Sequence, residues 1–340
     1  MTLLRLTERG LYCEAGGFFV DPWGAVDRAV VTHAHGDHVA WGSAGYLTSA
    51  EGRDVLQSRL PSDARVTGLP YGEARSLNGV RVSLHPAGHI LGSSQVRLEL
   101  GGEVWVVSGD YKTDPDPTTT PFETVRCHTF VTESTFGLPV YRWPPQAEVL
   151  GDINAWWRAN QASGKASLLY GYALGKAQRL LAGLDPDIGP IYTHGAVERM
   201  TSVYRAAGVR MPPTIHAGSA ARDTDWSRAI VVAPPSADGS TWTRRFGHHA
   251  TGFASGWMLV RGARRGRSLD RGFALSDHVD WPSLMATVEA TGAERVWVTH
   301  GFTAPVVRWL RERGLDAQVV QTRFEGDVDD EAARPEEAPA

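Results

Sequence analysis

At 340 residues, 42% hydrophobic and 21% charged, the chain has an ordinary globular composition and the length of two domains or one large one. It holds no apolar run of about 18 residues for a membrane span, no apolar core after Met1 for a signal peptide, and only Cys13 and Cys127, too few for a disulfide framework; this points to a reducing cytoplasm and no membrane partner. The net charge of −4 divides unevenly: seven acids and one Arg from Glu325 to Ala340 form an acidic tail of disordered composition and leave +2 on the rest, while seven arginines between Arg244 and Arg271 face the single acid Asp270.

Taken in order, residues 3–20 suggest short strands around Gly10 and Gly16, the last being Phe18-Phe19-Val20, which ends at Asp21. Arg28–Val31 is a β-branched run that reads as a buried strand. It feeds His33-Ala34-His35-Gly36-Asp37-His38, where three imidazoles and a carboxylate fall within six positions. Imidazole nitrogen and carboxylate oxygen are the usual ligands of catalytic zinc and related divalent ions, and packing gives no reason for four such groups at this spacing. Glu51–Leu60 reads as a short helix stopped by Pro61. Val80–Leu84 alternates as a half-buried strand and delivers His89, and Gln95–Leu100 pairs across Gly101-Gly102 with Val104–Ser108, which leads to Asp110. His128–Ser134 is a further strand that carries Glu133 near its end.

A Pro-rich break at Val140–Pro145 reads as a domain boundary. Beyond it, Glu148–Gln161 suggests an amphipathic helix and Ala166–Tyr170 a strand that turns through Gly171–Gly175 into a helix at Lys176, a geometry whose backbone amides suit an anion. Pro190-Ile191-Tyr192 is a fainter copy of that unit, and Asp225–Val260 yields no clear element. Gly272–Asp280 reads as a strand ending at His278, and Trp281–Thr291 as a helix capped by Asp280. Arg295–Gly301 is a strand ending at His300, Ala304–Arg313 a helix, and Val319–Thr322 the last strand.

The HxHxDH motif, with Asp21 before it and His89 and Asp110 after it, resembles the metallo-β-lactamase superfamily. Glu133, His278 and His300, together with the Tyr172–Gln178 turn, are similar to the additional motifs of its β-CASP nuclease branch. Length and wording resemble the bacterial ligase-associated DNA exonucleases, with one departure: Ala233–Gly239 replaces a glycine-rich stretch of that group. The resemblance implies an α/β fold, a metallo-β-lactamase αββα sandwich with an inserted β-CASP α/β domain. Its parts would be residues 1–143, the insertion 144–268, the return 269–324 and the acidic tail 325–340. It further implies that His33, His35 and His89 hold one divalent ion, that Asp37, His38 and His300 hold a second, and that Asp110 bridges them.

Zinc is the first expectation for both ions, with manganese as the alternative. Asp21 would steady the ligands from behind. His278, with its tautomer held by Glu133, would protonate the departing oxygen, and Asp37 joins these two as a catalytic group. The implied activity is phosphodiester hydrolysis by a hydroxide that the two ions activate: a DNA exonuclease in repair, associated with an ATP-dependent DNA ligase and a helicase. An RNA-processing ribonuclease of the same branch is the alternative, and a thioesterase- or lactonase-type hydrolase a more remote one. Arg261, Arg264, Arg265, Arg267 and Lys176 are the candidate nucleic-acid contacts, with Trp242, Phe246 and Trp257 as candidate stacking residues.

Overall fold

A computed structural model describes residues 2–260 and 269–322. The described chain forms two compact units, one running to Arg142 and resuming at His278, the other spanning Trp143–Asp277. The first unit opens with β1 (Arg5–Thr7), β2 (Gly10–Cys13), β3 (Phe18–Val20), β4 (Ala29–Val30) and β5 (Tyr46–Ser49), then helix α1 (Arg53–Gln57) and β6 (Val66–Leu69). These strands form one sheet in chain order, antiparallel as far as β3 and parallel beyond it. Next come β7 (Ala74–Leu77), β8 (Val80–Pro86), β9 (Ser94–Leu100), β10 (Glu103–Val107) and β11 (Thr129–Ser134).

The second unit contains α2 (Gln146–Ala162), β12 (Ala166–Tyr170), α3 (Lys176–Gly183), β13 (Ile191–Thr193), α4 (Gly195–Ala206), β14 (Ile215–His216), β15 (Ile230–Ala233), β16 (His249–Ala254) and β17 (Arg271–Phe273). Its strands lie in the order β14-β13-β15-β12-β16-β17, and every pairing is parallel. The expected return of the first unit at residue 269 comes later, because β17 completes this parallel sheet beside β16 and only His278 rejoins the first unit. The stretch Asp225–Val260, which showed no clear element in sequence, supplies β15 and β16. Ile230-Val231-Val232-Ala233 is buried on both faces between β13 and β12, so it lacks the alternation that marks a half-buried strand.

The first unit then adds α5 (Trp281–Thr291), β18 (Arg295–Gly301), α6 (Thr303–Arg311) and β19 (Asp316–Val319), giving a second sheet in the order β19-β18-β11-β10-β9-β8-β7. The last strand thus ends at Val319, where the sequence suggested it begins. Side chains of alternating parity separate two cores, as the two-residue repeat of a strand requires. Trp105, Val107 and Val131 face the first sheet among Phe18, Val20 and Val30, whereas Val106, Phe130, Val296 and Val298 pack beneath α5 and α6. Helix α5 begins where Asp280 Oδ1 accepts from the Ser283 amide at 3.0 Å and stops at Gly292 in the left-handed conformation, φ 65°.

Strand polarity is what gathers the chemistry. Because β8 and β10 both run antiparallel to β9, and β10, β11 and β18 run parallel, the C-terminal ends of β8, β10, β11 and β18 share one edge. His89, Asp110, Glu133 and His300 all sit at or just past those ends.

Candidate metal centre

Asp21 anchors the site. Its backbone is left-handed (φ 44°), a conformation Asp tolerates better than most residues, and its carboxylate turns back toward the His33–His38 turn. Oδ1 accepts from the Thr32 amide at 2.8 Å, and Oδ2 accepts from Thr32 Oγ1 at 2.7 Å and from His38 Nδ1 at 2.8 Å. With its proton committed to Asp21, Thr32 Oγ1 can only accept from His33 Nδ1, 3.0 Å away. Both imidazoles are thereby fixed with Nδ1 protonated and Nε2 presented inward, the arrangement a metal-binding histidine requires.

His33 Nε2 and His89 Nε2 lie 3.1 and 3.0 Å from His35 Nδ1, and Asp110 Oδ2 lies 3.6 Å from the first and 3.8 Å from the second. Ligands of a tetrahedral zinc with bonds of about 2.0–2.1 Å stand roughly 3.3 Å apart, so the cluster has the spacing of a shared ion. A second group adjoins it. His38 Nε2 is buried without a hydrogen bond, 3.4 Å from Asp110 Oδ2 and 3.6 Å from Asp37 Oδ2, and the His38 and His300 rings stack at 5.4 Å. A buried nitrogen that lacks a well-formed hydrogen bond and faces two carboxylates suits a bound cation that all three groups would coordinate. Among the described residues the ligand atoms of His33, His35, His89 and Asp110 fall within 4.8 Å of one another, as do those of Asp37, His38 and His300. The donor sets therefore fit two divalent ions, with Asp110 facing both.

Two backbone features make this convergence sterically feasible. Gly109 is left-handed (φ 56°), and a Cβ there would meet Thr32 Cβ at 2.6 Å, so only glycine lets Asp110 approach the turn. His300 is itself left-handed (φ 50°) where the β11–β18 register shifts at Glu133/Ser134, and the Ser134 hydroxyl donates to the His300 carbonyl. The bulge turns the imidazole out of the strand, at a backbone cost of about 1–3 kcal/mol.

The protonation of these side chains follows burial and neighbours. Burial, then the adjoining His38, hold His33 and His300 below the ordinary imidazole range. Burial works against charge on His38 as well, but Asp37, Asp110 and Asp21 outweigh it and hold His38 well above that range. Burial raises the Asp37 carboxyl, whereas at Asp110 the His38 and His278 imidazoles overcome burial and keep the carboxylate ionised. These directions pair a protonated His38 with the ionised Asp110 carboxylate at the centre of the cluster.

Beside it, His278 Nδ1 lies 3.0 and 2.9 Å from the two oxygens of Glu133, and Glu133 Oε1 also accepts from the Tyr111 amide at 2.9 Å. Asp110, Glu133 and His278 also lie within ligand range of one another, yet this pairing engages both Glu133 oxygens and makes the two residues a hydrogen-bonded dyad at the rim of the cluster.

No protein-family model matches the sequence. A probable DNA ligase from Opitutus terrae is 35% identical over 318 residues, which are 92% of this chain and 30% of the relative. An RNase J-like protein from Methanocaldococcus jannaschii is 26% identical over 214 residues, 53% of this chain and 50% of that protein. The chain belongs to the β-CASP branch of the metallo-β-lactamase superfamily. A crystal structure of a protein of unknown function from Enterococcus faecalis V583 shares the fold, with a TM-score of 0.56 over 80% of this chain and 74% of that one at 12% identity. The chain spans half the length or less of the two named relatives.

Within the β-CASP insertion one expectation fails. Lys176, expected to meet nucleic acid, is 3% exposed: Nζ donates to the Leu275 carbonyl at 2.8 Å and pairs with Asp277 Oδ2 at 2.8 Å. Arg179 shares that carboxylate at 3.0 Å and donates to the Ser276 carbonyl. The glycine turn before α3 therefore leads into a buried ionic knot. Asp277→Ala removes the carboxylate that offsets two buried cations and is expected to cost about 3–5 kcal/mol of stability, read as a lowered denaturant midpoint. Glu312→Ala breaks the exposed Arg308–Glu312 pair and is expected to cost less than about 1 kcal/mol in the same measurement.

Phe246 is likewise buried, edge-on to Trp226 and Trp242, and so presents no face for stacking. Arg261, Arg264, Arg265 and Arg267 lie outside the described residues, as does the acidic tail. Thr32 and Tyr111 are the functional residues that sequence reasoning missed. Thr32 could have been found as the hydroxyl directly before the motif; the Tyr111 contribution is a backbone amide and leaves no side-chain signature.

Proposed function

We propose that this chain is a metal-dependent nuclease that hydrolyses phosphodiester bonds, acting on DNA ends as an exonuclease in repair. The observation that carries the reading is the pair of ligand clusters joined at Asp110 with the Glu133–His278 dyad at their edge. Two ions bound there supply Lewis acidity toward a phosphoryl group and lower the pKa of a water nucleophile; zinc is proposed for both, with manganese as the alternative.

The chain's own residues do the rest. Asp110, Asp37 and five imidazoles fix the two positions. Asp21 and Thr32 hold the ligand tautomers. Glu133 accepts from His278 Nδ1, so with the ring in its imidazolium form it is the proton on Nε2 that passes to the departing sugar oxygen, and Nδ1 keeps its own.

DNA is favoured as substrate because a relative matched along 92% of this chain is named a probable DNA ligase, which also supports a working association with ligation. A helicase partner rests on the family resemblance alone. RNA is the second reading, favoured by the RNase J-like relative. No helix among the described residues is long and apolar enough to cross a membrane, in keeping with a proposed cytoplasmic site of action.

The test is digestion of matched 5′- and 3′-labelled single-stranded DNA and RNA by the metal-loaded protein, with an Asp37→Ala, His38→Ala double variant as control. Progressive trimming of DNA from one end, absent from the control, is the expected result. Cleavage of RNA alone would move the substrate to RNA, and no cleavage of either by protein with bound metal would overturn the nuclease reading.

A further inference from the structure

Away from the metal cluster, a cleft of about 480 Å³ opens in the first unit where the edge strand of one sheet, β6, meets the edge strand of the other, β7. Arg28, Arg65 and Arg75 line it, and no carboxylate does. All three are exposed, and among the described residues none of their guanidinium groups has an acidic partner. Three positive charges without an acidic partner in one concavity repel one another and leave a local excess of positive charge. Thr67, Ser76 and Asn78 add neutral polar groups to the same walls. A cleft with this lining is matched by a ligand that carries several closely spaced negative charges and few positive ones.

We propose that the Arg28–Arg65–Arg75 cleft is a secondary binding site for the phosphate backbone of single-stranded nucleic acid. The proposal rests on the nuclease reading for its choice of polyanion. Its place in the fold suits the role. Arg28 precedes β4 and His33 follows it, five residues on; at an extended rise of about 3.3 Å per residue their backbones are at most roughly 16 Å apart, at opposite ends of a buried strand, so a bound strand of a few nucleotides would pass around its end. The loop from His38 back to the cleft at Ala44 and Gly45 carries Trp41, 46% exposed, which offers a stacking face along that path. The cleft would hold strand that is not being cut, lengthening the residence of long substrates without touching the reacting phosphate.

The experiment uses the full chain stripped of metal with a chelator, so that nothing is cleaved. Fluorescence anisotropy is read with labelled single-stranded DNA and RNA of about 20 nucleotides, longer than the usual ~4–16-nucleotide site. The triple variant Arg28→Gln, Arg65→Gln, Arg75→Gln is compared with the wild type across a salt series. Three lost phosphate contacts at about 0.7 counterion each should flatten the log–log salt slope by about 2 and weaken binding roughly a hundredfold near 0.1 M salt.

The matching Arg→Lys triple variant keeps the charges and should keep the slope, and an unchanged melting temperature shows that each variant is folded. DNA and RNA losing affinity together assigns the cleft to the shared backbone; loss with one alone assigns it to that polymer. Unchanged affinity and slope in the Gln variant overturn the proposal. So does binding of polyglutamate as tight as that of the oligonucleotides, which would make the cleft a protein-docking site. If the metal-loaded wild type binds oligonucleotide through these arginines yet never cleaves it, the nuclease reading falls and the cleft assignment stands.

Discussion

Asp110→Asn is expected to remove at least one of the two ions proposed for this centre and to lower phosphodiester cleavage by about three orders of magnitude. One oxygen, Oδ2, stands 3.6 Å from His33 Nε2, 3.8 Å from His89 Nε2 and 3.4 Å from His38 Nε2, so a single atom serves both ligand clusters. The amide keeps the shape and removes the charge, which leaves the centre with one carboxylate fewer among five imidazoles. A catalytic ion is worth several kcal/mol of transition-state stabilisation, and about 4 kcal/mol corresponds to roughly a thousandfold in rate.

Asp21→Asn is the internal comparison. Asp21 meets His38 Nδ1 and Thr32 rather than the cluster's inner face, so its loss should weaken metal affinity by about 10–100-fold and leave two ions bound at saturating metal. Metal content by mass spectrometry after dialysis, paired with cleavage rates at several metal concentrations, separates the two. Two ions retained by Asp110→Asn at wild-type affinity would mean that Asp110 does not join the clusters.

The local part of this centre was readable from the chain and the tertiary part was not. His33, His35, Asp37 and His38 announce themselves because four ligand-type side chains occupy one turn, and no packing pattern produces that. His89, Asp110 and His300 came from the resemblance to the superfamily's later motifs, since a His or Asp past a strand end is unremarkable alone, and the structure brings them to one edge because the strands before them share a polarity. What sequence could not supply was the conformation that turns each group inward: the left-handed His300, the left-handed Asp21 and the glycine fit of Asp110 against Thr32 all depend on neighbours distant in the chain.

Lys176 failed for the same reason. A lysine opening a helix after a glycine turn reads as an anion contact until Asp277, far along the sequence, folds against it. The end of the insertion was misplaced because Arg271-Gly272-Phe273 looks like any short strand; only its pairing with β16 decides which sheet it joins. In each case the residue type was informative and the partner was not visible.

On the proposed reading, His278→Ala is expected to retain both proposed ions and still lose about 10²–10⁴ in the rate of nucleic-acid cleavage. The imidazole lies outside the two ligand clusters, and its Nδ1 is committed to Glu133 at 2.9 Å, so its removal leaves the metal positions intact. What is lost is a proton for a poor leaving group, and that makes the defect depend on the substrate. An alkoxide leaving from a sugar needs protonation as the bond breaks, whereas a p-nitrophenolate does not. A p-nitrophenyl phosphodiester should therefore be hydrolysed by His278→Ala at close to the wild-type rate while DNA is not.

Glu133→Gln should fall between the two proteins. Its amide oxygen can still accept from both His278 Nδ1 and the Tyr111 amide, as Oε1 does, but it is uncharged and the amide NH2 cannot accept, so the hold on the ring weakens without the ring losing its place. A residue that merely supported the sheet edge would slow both substrates alike. Equal defects on DNA and on the activated ester, with metal content unchanged, would remove His278 from the proton-transfer step and leave it a structural neighbour of the cluster.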